Sequence, residues 1–570
     1  MYKIKFRRLF AIHFYTLIII LIIFMKKSFL FFTFYILFTS VISIQAQYVP
    51  EKQLVNRIEE PLDGFKSENL AIPLGSTKEI ILLRKTDNKT RGELGRMDIW
   101  RVTKYNQKLN QEWTDEILGT KNGFVKDYIV DEEAGKVYLM FFGAGGKGEV
   151  AVVNKDLQFA EIDIESGQIQ MHFAKIPKLT VSHFKKSGNL LYATGVKLPS
   201  TLRQMCMGYL MCSIYIFNPI KALKADPYTV AVDLSSSRAT PMTTKFKGFN
   251  INVTAASNHD GTVDVIYKNI ISKKKSNILK FKVDRERTTE LTEMKFDPDI
   301  NMNSAVIVEH NNKKLILGGF GDQSGKKNWR NFLSSQYTNG LYFGDITNEK
   351  NPQYRFYDFS DIKSVRKLQE QLYEERSGLA KLFTKKKTGV GEIKQQLLLH
   401  KPVIIDDEIH LRAESFTPTY VTYTTTNSDG STTTHQVFDG YLFLGFTMAA
   451  FNDEGDMLWD VSFPTGELKS FVLKETVKVM RDEYGDFSFM YSNGYAVVKR
   501  RLEGNEVTEI EEDVLSDEEE KIKRSYSQSM DYWYDDFYIA YGTQKLKEEG
   551  SGLFGGRRKT FFLSKIKNED

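Results

Sequence analysis

The sequence predicts an all-β fold: a single β-propeller of about eight four-stranded blades, with seven as the fallback, carrying one helical insertion. Three observations predict it. Short runs of β-branched and aromatic residues recur along almost the whole chain, aromatic residues make up 13% of it, and only 13 prolines interrupt it. The ends of many runs share a cadence: an aromatic or aliphatic residue, then Asn or Asp, then a short turn. No Pro/Ser/Gly linker divides residues 48–570, as a stack of β-sandwich domains would require.

Tyr105-Asn106, Val153-Asn154, Phe217-Asn218, Val283-Asp284, Gly344-Asp345 and Phe451-Asn452 fit the cadence, and Glu503-Gly504 and Lys567-Asn568 fit it more weakly. Successive markers lie 48, 64, 66, 61, 107, 52 and 64 residues apart. The long interval contains residues 362–398, where Val365, Leu368, Leu372, Leu379 and Leu382 repeat with helical spacing. Without that insertion it falls into line. Each interval holds about four strands, and four strands per repeating unit around a closed ring is a propeller. The last marker lies two residues from the final residue, so the last blade has three strands of its own. Its fourth, outer strand is expected from the N-terminal side, around residues 52–57. Such closure removes the open sheet edges that endanger a large β protein.

One stretch carries a family resemblance. Ala450-Phe451-Asn452-Asp453-Glu454-Gly455-Asp456-Met457-Leu458-Trp459 resembles the Ala-Asp-Gly-Trp blade signature of quinoprotein-type propellers, and Tyr105-Asn106…Leu109…Trp113 is a looser echo. The spacing is one residue short, the usual threonine is missing, and only these two blades carry the tryptophan. The resemblance implies a propeller and not quinone binding, so no cofactor is expected. The tryptophans are expected to pack between neighbouring blades. Neither Trp-Asp blade ends nor paired-glycine kelch motifs recur from blade to blade in the sequence.

The first 47 residues read as a leader. Residues 29–44 form an apolar run preceded by Lys26 and Lys27 and followed by the small-residue exit Ser43-Ile44-Gln45-Ala46-Gln47, the layout of a secretory signal peptide that starts at Met25. An earlier apolar run, residues 9–24, follows Lys3, Lys5, Arg7 and Arg8. The competing reading is a membrane-tethered protein held by residues 9–44, but each run is shorter than the roughly 20 residues of a spanning helix. Six of the 78 Lys+Arg and none of the 73 Asp+Glu lie in residues 1–47, which leaves 72 basic and 73 acidic residues, a formal net of −1. No global basic field remains to attract nucleic acid. Membrane contact is expected only if the leader is retained. Cys206 and Cys212 either pair in an oxidising compartment or are buried as apolar residues beside Met205, Met207, Leu210 and Met211; both readings stay open.

Function is read from the insertions. If each marker ends the third strand of its blade, long second-to-third connections fall at residues 198–211, 321–339, 416–438 and 544–558. In a four-stranded meander these emerge on the same face as the blade-to-blade crossings, which include 362–398. Long loops on a rigid scaffold are where binding resides. They carry interface-type residues: Trp329, Arg330 and Tyr337 in one, Phe554, Arg557 and Arg558 in another. The helix stripe either meets a partner helix or packs on the propeller, the second costing less exposed apolar surface. The chain is therefore expected to be an exported, periplasmic or cell-surface protein that binds other envelope or secreted proteins as a scaffold. The alternative is a propeller enzyme acting on glycans at the central channel, with convergent carboxylates or histidines around the axis. No nucleophile elbow, phosphate loop, dinucleotide fingerprint, calcium loop or histidine pair with metal spacing is present. His400 and His410 flank Asp406, Asp407 and Glu408, where solvated strand-edge charge is the expected reading over a metal or acid–base site.

Overall fold

Among the described residues of the computed structural model, eight separate hydrophobic clusters, rather than one central core, hold the blades together. The structure describes residues 54–567 except 93–94, 120–122, 144–153, 198–225, 247, 273–274, 298–299, 323–337, 375–395, 427–430, 471–472, 482–485, 493–495, 504–505, 515–521 and 548–556. All described residues belong to one unit, residues 52–570.

The strands are antiparallel throughout and form eight four-stranded blades. The chain opens with β1 (Leu54–Pro61). Blade 1 is β2 (Phe65–Leu74), β3 (Glu79–Gly92), β4 (Gly95–Tyr105) and β5 (Gln111–Gly119). Blade 2 is β6 (Gly123–Asp131), β7 (Lys136–Gly143), β8 (Asn154–Asp163) and the first half of β9 (Ile169–Ser187). The second half of β9 opens blade 3, with β10 (Leu190–Lys197), β11 (Asp226–Asp233) and β12 (Ala239–Thr243). Blade 4 is β13 (Phe249–Ser257), β14 (Val263–Ser272), β15 (Lys275–Val283) and β16 (Thr288–Met294). Blade 5 is β17 (Ile300–His310), β18 (Lys313–Asp322), β19 (Gly340–Asp345) and β20 (Gln353–Asp358), followed by helix α1 (Lys363–Glu374). The inner strand of blade 6 is broken into β21 (Gln396–Leu399) and β22 (Val403–Ile405), which both pair with β23 (Glu408–Thr426); β24 (Thr432–Phe451) and β25 (Met457–Ser470) complete it. Blade 7 is β26 (Lys478–Arg481), β27 (Phe487–Ser492), β28 (Ala496–Glu503) and β29 (Glu506–Val514). Blade 8 is β30 (Ile522–Tyr534), β31 (Phe537–Lys547) and β32 (Arg557–Lys567), and β1 pairs with β32 as its outer strand. The expected N-terminal closure is therefore present.

Each cluster joins two consecutive blades, so a residue buries its apolar side chain against the next sheet. The eighth cluster closes the ring: Tyr541, Phe561 and Leu563 of blade 8 pack on Ala71, Ile80 and Leu82 of blade 1. Polar staples reinforce that seam. Glu60 on β1 pairs with Arg84 and accepts a hydrogen bond from the Tyr105 hydroxyl at 2.9 Å, both on blade 1.

The cadence has a physical cause. Where the third strand ends, an Asn or Asp side chain accepts hydrogen bonds from the backbone of the following turn. Asn106 takes the amides of Lys108 and Asn110, Asp284 those of Glu286 and Arg287, Asp345 that of Thr347, and Asn452 that of Asp456. One marker is out of phase: Asn154 stands at the start of β8. Phe217-Asn218 lies outside the described residues. Asp163 and Asp233 do the capping in blades 2 and 3, receiving the amides of Ser166 and of Ser235 and Ser236.

Both tryptophans of the resemblance lie on outer strands and reach the next blade, as expected. Trp113 donates from Nε1 to the Ile164 carbonyl at 3.2 Å and covers Gly167. Trp459 packs edge-on against His410 at 5.3 Å and meets Phe487 of blade 7 at 5.3 Å. The apolar stripe of α1 packs down on the propeller: Ile362 and Val365 join the cluster between blades 5 and 6, and Leu368 is buried over Gly445. That removes the described part of the helix as a docking stripe for a partner helix; Leu379 and Leu382 lie outside the described residues.

Candidate functional site

The meander sorts the connections by face. Second-to-third loops and blade crossings leave from one face, and first-to-second and third-to-fourth turns from the other. On the second face the described strands are joined by short turns, the longest being 346–352. The longer connections between described strands leave from the first face: 10 residues between β7 and β8, 28 between β10 and β11, 17 between β18 and β19, 37 between β20 and β21, and 9 between β31 and β32. The asymmetry that the spacing implied is thus present in the topology.

On this face β23 and β24 run on past their own blade. β25 pairs with β24 only from Tyr441 to Phe451, and β21 with β23 only from Ala413 to Phe416. Beyond those limits seven residue pairs, from Tyr420↔Phe438 to Thr426↔Thr432, hold the two strands together as a ribbon that no third described strand flanks. Thr422, Thr424, Thr426, Thr432 and Thr434 are exposed. β-branched threonine favours the extended backbone without supplying a core, so the segment expected as a loop, 416–438, is a polar β-arm.

Of the residues singled out from the sequence, Trp329, Arg330, Tyr337, Phe554, Cys206 and Cys212 lie outside the described residues. Arg557 opens β32 opposite Lys547. Arg558 lies opposite Leu546, and its guanidinium is 3.4 Å from Glu59 on the closing strand, which ties it to the ring seam.

A second constellation lies along the inner strands, most of which contact a neighbouring inner strand. Their free edges face the channel, and bulges interrupt them in blades 1 to 5 and 8. In blades 7 and 8, Lys478 lies 2.7 Å from Asp531 and 3.4 Å from Glu475, and Glu475 also meets Arg412 at 2.5 Å. Burial would raise the Glu475 carboxyl, but Lys478, His400 and Arg412 hold it down at about 2. Tyr541 donates toward Asp531 at 3.3 Å and takes a hydrogen bond from Lys474 at 2.9 Å. Burial lowers Lys474 to about 8. In blades 2 and 3, burial raises the Asp127 carboxyl, and burial with Lys185 and Lys126 lowers His183 to about 3. Burial raises Tyr128, and the charges of Asp531, Lys478, Asp127 and Glu475 act on it. Sequence reasoning missed this network because its members lie hundreds of residues apart with no motif spacing.

His400 and His410 do not form a joint site. His400 lies 3.0 Å from Glu414, whose carboxylate also takes the amides of Thr476 and Val477. His410 is buried between Trp459 and Phe487, and burial lowers its pKa. Asp406 and Asp407 form the left-handed turn between β22 and β23. Among the described residues no cluster of His, Cys, Asp and Glu has metal-binding geometry, and no helix is long and apolar enough to cross a membrane.

No protein-family model matches the chain, and no curated protein matches it. Solved structures do. The polysaccharide lyase Uly1 is 8% identical with a TM-score of 0.35, over 92% of this chain and 95% of that one. A prolyl endopeptidase is 9% identical with a TM-score of 0.34, over 85% of this chain and 56% of that one. The Pyrococcus horikoshii acylaminoacyl peptidase is 10% identical with a TM-score of 0.31, over 85% of this chain and 58% of that one. The chain spans little more than half the length of these two peptidases.

Proposed function

We propose that this is an exported binding propeller of the cell envelope, which takes a protein partner on the face of the long connections and offers the β23–β24 ribbon to a strand of that partner. The observation that carries the reading is the ribbon: a seven-pair hairpin on the elaborated face, with no third described strand beside it. Two-stranded ribbons are marginal alone in water, and an added strand both satisfies backbone groups and covers side chains. Trp329, Arg330, Tyr337, Phe554 and Arg557 are proposed as side-chain anchors on the same face. Export rests on the leader pattern of residues 25–47.

Replacing residues 419–440 by a two-residue Asn-Gly turn between the paired Pro418 and Tyr441 tests the binding. Partners cross-linked and co-purified with the wild-type protein from its own envelope fraction are expected to be lost from the trimmed protein; an unchanged partner set would refute the reading. N-terminal sequencing tests export, with a start at residue 47 or 48 expected and an intact leader contradicting it. The glycan-enzyme alternative is the weaker reading: Glu475 and Asp531 both engage Lys478, and among the described residues no ion pair or hydrogen bond brings the Asp127 carboxyl, which burial raises, to either of them.

A further inference from the structure

The turns that end the third strands of blades 2 and 3 share one plan and differ at a telling position. In each, an aspartate amide donates to the carbonyl five residues on, Asp163 to Gln168 and Asp233 to Arg238, and the aspartate carboxylate caps the turn. The fourth residue after the aspartate is left-handed in both: Gly167 at φ +73° in blade 2, but Ser237 at φ +53° in blade 3. A side chain there costs strain that glycine avoids, and such residues gather where function holds them. Ser237 is half-exposed, and its hydroxyl oxygen lies 2.9 Å from Nδ1 of His172 on blade 2. His172 is 1% exposed, and its other ring nitrogen, Nε2, lies 3.2 Å from Oε2 of Glu161 on β8. Lys136 pairs with Oε1 of the same carboxylate. These partners assign the protons. A carboxylate paired with a lysine only accepts, so Nε2 carries the hydrogen, and Nδ1 keeps a lone pair for the Ser237 hydroxyl. A hydroxyl, an imidazole oriented as a base and a carboxylate behind it are the parts of an activated nucleophile. Among the described residues the Ser237 amide finds no acceptor, so it is available to an oxyanion formed beside it.

We propose that Ser237, His172 and Glu161 form a hydrolytic site for small carboxylic esters, on the face of the short turns and independent of the partner-binding face. The Ser237 oxygen bonds to the ester's carbonyl carbon as its proton passes to Nδ1 of His172, and the carbonyl electron pair moves onto oxygen. Glu161 accepts from Nε2–H of the imidazolium so formed. As the carbonyl re-forms, the bond to the alcohol oxygen breaks and the departing alkoxide takes the proton from Nδ1. Water then adds to the acyl carbon by the same path, giving a proton to Nδ1, and the serine oxygen leaves and takes it back. Ester and water become acid and alcohol. Ser235, Ser236 and Arg238 beside Ser237 are exposed, so the substrate arrives from solvent. An ester, whose alkoxide leaves more readily than an amine, asks least of such an open turn.

Incubating the purified protein with a fluorophosphonate probe, followed by peptide mass mapping, tests this. An adduct on Ser237 is expected, together with hydrolysis of p-nitrophenyl acetate. Ser237→Gly is expected to abolish both and to keep the fold, because glycine adopts φ +53° without strain. His172→Gln is expected to slow labelling at least about a hundredfold by removing the base. Ser236→Ala, which alters the exposed neighbour, is expected to label as the wild type does. Absence of an adduct on Ser237 would overturn the proposal, as would labelling that His172→Gln leaves undiminished. Ester hydrolysis that Ser237→Gly retains would overturn it too, by placing the nucleophile elsewhere.

Discussion

At the scale of single residues, the third-to-fourth turn carries much of what the sequence discloses. Asn106, Asp284, Asp345 and Asn452 cap their turns through side-chain oxygens, a local requirement that leaves a local mark. Asn154 deceived because it follows a β-rich run just as a capping residue does, yet it begins a strand. Gly455 and Gly167 complete such turns with left-handed backbones, φ +83° and +73°, beneath Phe343 and Trp113 of the preceding blade. Gly455→Ala is expected to cost about 2–3 kcal/mol, from positive φ and a clash with a buried ring together, measured by urea unfolding. The channel residues left no such mark: Glu475 and Asp531 look like ordinary surface acids until the ring brings them to Lys478. Glu475 has a folded pKa of about 2 against an ordinary 4.5. Its stabilisation is therefore in place above 4.5 and drains away as the pH falls toward 2. Glu475→Gln is expected to lower stability by up to about 3 kcal/mol at pH 7 and far less at pH 3, read from unfolding at both values.

At the scale of elements, strands declared themselves and their reach did not. Residues 419–435 are threonine-rich with turn residues at the tip, and alternation in them has no apolar face to follow. Only pairing reveals that 416–438 is a ribbon. Since none of the ribbon's described side chains joins the clusters, the trimmed variant is expected to keep its melting temperature within about 1–2 °C, by calorimetry, while losing its partners. Helix α1 behaves oppositely. Its stripe was legible from spacing, and its destination follows from Val365 and Leu368, each at most 3% exposed. Leu368→Ala is expected to destabilise by about 2–4 kcal/mol, because the cavity opens against the closely approaching backbone at Gly445.

At the scale of the whole molecule, blade number and closure followed from counting, because each blade repeats one four-strand unit and a ring admits no leftover edge. The counting tolerated the misplaced marker at Asn154, since it depends on intervals near the length of a blade and not on any one position. The seam is where the count meets chemistry. β1 covers β32 from Pro61↔Thr560 to Leu54↔Ile566, and Glu60 reaches across to Arg84 and Tyr105. A protein lacking residues 48–61 is expected to lose its single cooperative transition and to associate through the exposed edge of β32, seen by calorimetry and size-exclusion chromatography.

The same seam dictates an order of events in time. The strand synthesised first, Leu54–Pro61, docks on one of the strands synthesised last, Arg557–Lys567. Closing a loop of some 500 residues costs on the order of 5 kcal/mol in chain entropy, which local hairpins never face. Seven blades can collapse as they are made, while β1 waits as an unlatched hasp. On the proposal that the chain is exported in the extended state, that latch would fasten only after passage, and the ring would assemble on the far side of the membrane.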